Sequence, residues 1–245
     1  MTKPAAPTQA GGGAGLGLPL LALVLNAFVW GVSWWPLREL QAQGLHPLWS
    51  SGLTYLLGAS LMLAFNPSVW AVFLGNRSQW VLAAAAGFTM VGFNWGVAIA
   101  DVIRVVLLFY LMPVWAVLLA RVVLKEPVGM AALGRVALAL LGAVLVLSPD
   151  GQIGLPVPSN LGEALGLMGG MAFALNNIML RHQAELTAQD RLFGMFAGGV
   201  VVPTLVALLL ALALGGDGQL IQWPSMPATS GLLLLPAFAL LLLVA

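Results

Sequence analysis

Long apolar runs dominate this chain, and their length is a stronger signal than any periodicity within them. Eight stretches approach or reach the roughly 20 predominantly apolar residues a helix needs to cross a bilayer. They cover residues 16–37, 47–66, 79–99, 102–123, 130–148, 160–181, 192–214 and 229–245. Short polar connections punctuate them, among them "RELQAQGLHP", "NPSVWAVFLGNRSQ", "LKEPVG" and "SPDGQIGLPVPSN", with a tight "ADVIR" turn between the third and fourth runs. Barrel-type alternation is absent, and a helix satisfies its own backbone hydrogen bonds within lipid. The pattern predicts an all-α polytopic membrane protein with eight transmembrane helices.

Composition supports this. Of 245 residues, 61% are hydrophobic and 7% charged, whereas soluble domains average about 45–50% apolar and about 25% charged. Residues 1–15, ending in "GGGAG", are small and low in complexity, and predict a disordered tail. The run after them exceeds the apolar core of about 7–15 residues in a cleaved signal peptide, so a retained helix is expected. With the tail on one side and the loops alternating, Lys3, Arg77, Arg121, Lys125, Arg135, Arg181 and Arg191 share that side. Only Arg38 and Arg104 fall opposite, which places the N-terminus in the cytoplasm. A net charge of +1 carries no signal for nucleic acid, and the absence of cysteine excludes disulfides, thiolate metal sites and cysteine nucleophiles.

Compared with itself at an offset of 143, the chain shows a weak repeat. "FVWGVSWWPLREL" falls on "MAFALNNIMLRHQ", aligning Arg38 with Arg181, Trp30 with Phe173 and Ser33 with Asn176; Gln79–Trp80 likewise falls on Gln222–Trp223. The offset spans five helices, so the second copy enters the membrane from the other side, as in inverted-repeat transporters. Residues 16–148 then form a first five-helix repeat, and 159–245 the first three helices of a second. Two full copies and the tail need roughly 300 residues, so eight of an expected ten helices are present.

Three segments carry a family resemblance. "VWGVSWW" joins a Trp-Gly pair to a small polar residue and aromatics in the first helix. "VLLFYLMPVWAVLLARVVLKEP" has a mid-helix Pro113 and a closing Glu126, and "GRVALALLGAVLVL" spaces Gly134 and Gly142 eight apart. In their order and spacing these resemble the fourth and fifth helices, after the first, of the ten-helix drug/metabolite transporter superfamily, in its EamA-type branch. The resemblance implies a secondary transporter in the bacterial inner membrane that exports small metabolites, often amino acids. The tryptophan-rich first helix and "FYLMPVW" lean towards the aromatic amino acid exporters. The chain departs from the family pattern in lacking the last two helices, which would complete the central cavity. A non-transporting scaffold, or a fragment needing further helices, is therefore the alternative.

The residues themselves suggest where chemistry lies. At 100° per residue, Asn26, Trp30 and Ser33 share one face of the first helix, with Trp34 on its flank, and these are candidate cavity residues. Trp35 points the other way, near Arg38 and Glu39, and fits an interfacial belt. In the sixth helix Phe173 and Asn176, flanked by Asn177, occupy the counterpart face, where buried amides are costly unless they grip a polar group. Asn94 in "GFNWG" and Tyr110 are candidates of the same kind. For each of these, helix–helix packing is the competing reading. Pro36 and Pro113 remove backbone donors and free the carbonyls of Val32 and Phe109, making them candidate hinges.

Arg104 is three residues from Asp101, the spacing of a local ion pair; alternatively it meets a substrate carboxylate at the outer mouth as a gate. Asn160 and Glu163 read as a capping-box start to the sixth helix. Glycines at four-residue spacing, Gly92–Gly96, Gly162–Gly166–Gly170 and Gly194–Gly198, predict close packing within the chain, with a monomer or weak homo-oligomer expected.

Enzymatic readings lack their constellations. His46 and His182 fall at helix ends on opposite sides, only Asp101 lies near a span among the aspartates, and neither HExxH nor a P-loop occurs. No cofactor or metal is expected; the expected partners are a small-molecule substrate and the lipid bilayer. No carboxylate sits plainly at mid-membrane, which favours facilitated diffusion or exchange over strong proton coupling.

Overall fold

The computed structural model describes residues 17–125, 127–147, 157–213 and 229–244. The tail, Glu126 and the Gln222–Trp223 pair lie outside the described residues. Within them the regular structure is entirely helical, with no strand. Among the described residues, six helical stretches are long and apolar enough to cross a membrane: Leu20–Ala42, Pro47–Phe65, Arg77–Ile99, Val102–Leu124, Leu161–His182 and Ala188–Ala213. Two shorter apolar helices lie at the places of the fifth and eighth runs.

Three of the six are interrupted rather than continuous. The first consists of α1 (Gly17–Val32) and α2 (Trp34–Ala42), separated at Ser33. The second is α3 (Pro47–Phe65). The loop expected after it folds in part as α4 (Ser68–Gly75), which buries Val69 and Phe73 while Trp70 and Leu74 stay exposed. A short amphipathic turn of this kind is below the length at which an apolar run announces a helix. The third span is α5 (Arg77–Met90), a π-helical turn over Val91–Trp95, and α6 (Gly96–Ile99). The fourth is α7 (Val102–Phe109) and α8 (Met112–Leu119), ending in a second π-turn over Ala120–Leu124. Then follow α9 (Met130–Leu147), α10 (Leu161–His182), α11 (Ala188–Ala213) and α12 (Thr229–Val244).

The third span is the most buried and sits at the centre, against α10 and α11. Glycine makes this possible. A Cβ at Gly92 would lie 2.6 Å from both Gly169 Cα and the Leu165 carbonyl oxygen, and one at Gly96 would lie 2.9 Å from the Gly162 carbonyl oxygen. Lipid offers no hydrophobic drive for helices to associate, so backbone-to-backbone packing of this closeness supplies the cohesion instead. Around this centre α3 packs on α11, α7 and α8 on α10, α9 on α7 and α8, and α12 on α2 and α3. By contrast α1 turns Leu20, Leu21, Leu23, Val24 and Phe28 outward, and its neighbours are few. Its inward face is the one that matters for the site.

Candidate functional site

The first span carries its candidate side chains on either side of a break. Pro36 has no N–H, so the Val32 carbonyl loses its i+4 donor and the helix loosens one residue later. Ser33 occupies that point with its side chain buried, and its hydroxyl donates to the Trp30 carbonyl at 2.9 Å rather than to Val32. Asn26 and Trp30 lie on the α1 side of the break and Trp34 on the α2 side. All three line a cavity of about 450 Å³, together with Ala27, Gly31, Phe93, Val102, Val106, Phe109, Tyr110 and Phe173.

Four rings in its wall form a closed circuit. Trp30 meets Phe93 with centroids 5.6 Å apart, Phe93 meets Phe109 at 5.2 Å, Phe109 meets Phe173 at 5.3 Å, and Phe173 returns to Trp30 at 6.3 Å. Backbone irregularities place Phe93 and Phe109. Phe93 sits inside the π-turn of the third span, which rephases the helix so that Phe93 and not Asn94 reaches the cavity. Phe109 ends α7, immediately before the Tyr110–Leu111 turn that Pro113 enforces, and the Phe109 carbonyl freed by that proline rests against Gly170 of α10. A side chain at position 170 would collide with that carbonyl.

Not every candidate residue meets in this cavity. Asn26, Trp30, Trp34, Tyr110 and Phe173 do; Ser33, Asn94, Asn176 and Asn177 are outside its lining. Asn94 turns to α3, where its amide donates to the Ser51 hydroxyl at 2.9 Å in a buried contact. Asn176 is 1% exposed and its Oδ1 has no hydrogen-bond partner among the described residues, although it lies one turn from Phe173. Asn177 faces outward. Phe93 and Phe109 were missed by residue type, since a phenylalanine in an apolar run carries no signal of its own. Their neighbours Asn94 and Tyr110 did carry one.

Among the described residues, no charged side chain lines the cavity. The charges beside it are instead committed to structure. Arg38, expected at the membrane interface with Trp35, donates from Nε to the Val97 carbonyl at 2.9 Å and from Nη2 to the Ala100 carbonyl at 2.7 Å. It thus caps the C-terminal end of α6, with its guanidinium over the Trp34 ring at 5.8 Å. Trp35 is exposed, as an interfacial residue would be. The Asp101–Arg104 ion pair is not formed. Asp101 accepts from the Arg104 backbone N–H as a helix cap, while the Arg104 side chain crosses to α10 and meets Glu163 at 2.7 Å. Sequence spacing could not reveal this partner, which lies 59 residues away. Glu163 also accepts from the Ser159 N–H and hydroxyl and from the Asn160 amide, and its own N–H donates to Asn160 Oδ1. The expected capping motif is present, with a cross-helix arginine added.

His46 caps α3: Nδ1 accepts from the Leu48 N–H at 3.2 Å and the ring packs edge-on against Trp95. Burial holds its pKa down at about 4. Among the described residues no cluster of three or more metal-ligating side chains occurs.

No curated protein and no solved structure matches this chain. The model of the EamA-like transporter family matches residues 17–148, more than half of its length. The chain belongs to that family, whose members are membrane transporters of small molecules rather than enzymes.

Proposed function

We propose that this EamA-like transporter is a secondary carrier that exports or exchanges small metabolites, amino acids with aromatic side chains foremost, by alternating access around the aromatic cavity. The observation that carries the proposal is the cavity itself: six aromatic residues and one asparagine amid small apolar residues, with no charge in the lining. Ligand sites favour such walls, with a few polar groups to fix orientation. Asn26, Trp30, Trp34, Tyr110 and Phe173 are the proposed substrate contacts, with Phe93 and Phe109 added by the geometry.

The motion would use the interruptions flanking those walls. Ser33–Pro36 and Tyr110–Pro113 each divide a span beside the cavity, and α1 has few contacts to resist a swing. Arg104 with Glu163 ties α7 to α10 and acts as an outer gate in this reading. With the N-terminus in the cytoplasm of a bacterium and residues 159 onward beginning an inverted second repeat, the pair lies on the outer side. Coupling is proposed to be exchange or facilitated diffusion, because no carboxylate lines the cavity.

The test is a flux assay on reconstituted protein with a panel of radiolabelled amino acids and related metabolites, with and without a pH gradient. Uptake of aromatic amino acids, reduced by Trp30→Ala without loss of folded protein, is the expected result. Flux of non-aromatic solutes alone would refute the substrate class. Absence of any flux would favour the scaffold reading.

A further inference from the structure

We infer that the cavity selects its substrate by an organic ammonium group held against aromatic faces, and that it discriminates against carboxylates. This rests on the transport reading above and names the charged group that the site takes. Each aromatic ring carries negative potential on its faces. A desolvated cation gains from those faces and an anion does not, which is how aromatic cages hold quaternary ammonium ligands. Here Trp30, Phe93, Phe109 and Phe173 pack on one another in a circuit; Phe93 and Phe109 are nearly buried within it, so most of the ring surface left to the cavity is that of the half-buried Trp30, Trp34 and Phe173 and the exposed Tyr110.

A carboxylate would find poor terms in the same place. Its burial is costly unless a cation or several donors meet it. The lining supplies only the Asn26 amide, the Tyr110 hydroxyl and two indoles. Both arginines at that end are already engaged, Arg38 by the Val97 and Ala100 carbonyls and Arg104 by Glu163. Asp101, immediately before the lining residue Val102, adds an exposed negative charge near the mouth. Together these features favour an amine over an acid carrying the same ring.

Four indole probes differing only in charge test this by calorimetric binding to the reconstituted wild-type protein. They are tryptamine, its N,N,N-trimethyl derivative, tryptophan and indole-3-acetate. The expected order places tryptamine at least about 10-fold tighter than indole-3-acetate, with tryptophan between them. The trimethyl probe cannot donate a hydrogen bond, so its retention of tryptamine-like affinity identifies the ring faces as the partner. Trp30→Leu and Phe173→Leu, at the half-buried rings, should each narrow the amine-to-acid ratio several-fold, and the wild-type series stands even if those variants fold poorly. Indole-3-acetate binding as tightly as tryptamine, or a trimethyl probe as weak as the acid, overturns the inference while leaving aromatic transport intact. Failure of the transport reading shows separately, as absence of flux for every aromatic solute.

Discussion

Substituting Gly92 by alanine tests the central packing of this molecule with one methyl group. The added Cβ would lie 2.6 Å from Gly169 Cα and from the Leu165 carbonyl oxygen, and 2.7 Å from the Gly169 nitrogen. All three obstacles are backbone, so no side chain can rotate away. Restoring ordinary contact at 3.4 Å requires the third span and α10 to separate by about 0.8 Å. Overpacking of this kind costs about 1–3 kcal/mol, offset in part by the roughly 0.5–1 kcal/mol that alanine gains over glycine in a helix. The net expectation is a loss of about 1–2 kcal/mol, or a melting temperature lower by about 2–8 °C for a chain of this size. Gly142→Ala is the control, because a Cβ there meets no atom within 4 Å. It should match or exceed wild type. Thermal unfolding of the purified variants in one detergent measures both. Since Phe93 follows Gly92 directly, Gly92→Ala should also lower transport among molecules that remain folded. A Gly92→Ala protein as stable as the Gly142→Ala control would refute the claim that glycine sets the distance between these helices.

Three further outcomes follow from particular contacts. Glu163→Gln should cost about 1–3 kcal/mol, less than the roughly 3–5 kcal/mol of a fully buried pair, because the Arg104 side chain is 38% exposed and solvent screens it. A double-mutant cycle with Arg104→Gln should show coupling above about 0.5 kcal/mol, and additive effects would deny the pairing. His46 titrates at about 4, below its ordinary value of 6.5, so its neutral form is the one that folding favours. The stability it contributes is complete above pH 6.5 and is lost as pH falls towards 4, when protonated Nδ1 can no longer accept from Leu48. His46→Asn, which keeps an acceptor at the cap, should flatten stability between those pH values; an unchanged profile would remove His46 as the cause. Trp30→Ala should weaken binding of aromatic substrates by roughly 10-fold or more, since ring contacts are worth about 0.5–1.5 kcal/mol beyond the area they bury. Calorimetric affinity equal to wild type would remove Trp30 from the site.

Reading the chain alone locates the membrane segments well, for a simple reason. Bilayer thickness imposes a length on apolar runs, and that length survives in sequence without reference to any partner. The aromatic face of the first helix was legible on the same grounds: Asn26 and Trp30 stand one turn apart within α1, and Trp34 follows just past the break at Ser33. Asn94 shows where such reasoning stops. It stands out for its amide in an apolar span, and residue type does not say which way a side chain turns inside the π-turn at Val91–Trp95. Arg38 and Arg104 mark a second limit. Both were assigned by their neighbours in sequence, yet both reach other spans, because a guanidinium near apolar surroundings seeks whatever oxygen is nearest in space.

Sequence alone therefore determined the class of molecule, its helical segments and the aromatic character of its first span, all of which depend on local composition and on the bilayer as solvent. Only tertiary structure decided that Phe93 and Phe109 complete the aromatic wall, that Glu163 rather than Asp101 holds Arg104, and that glycine contacts bring the third span onto α10. Those outcomes depend on distances between segments far apart in the chain. Such distances are set when backbones pack and helices break, and residue type and spacing do not record them.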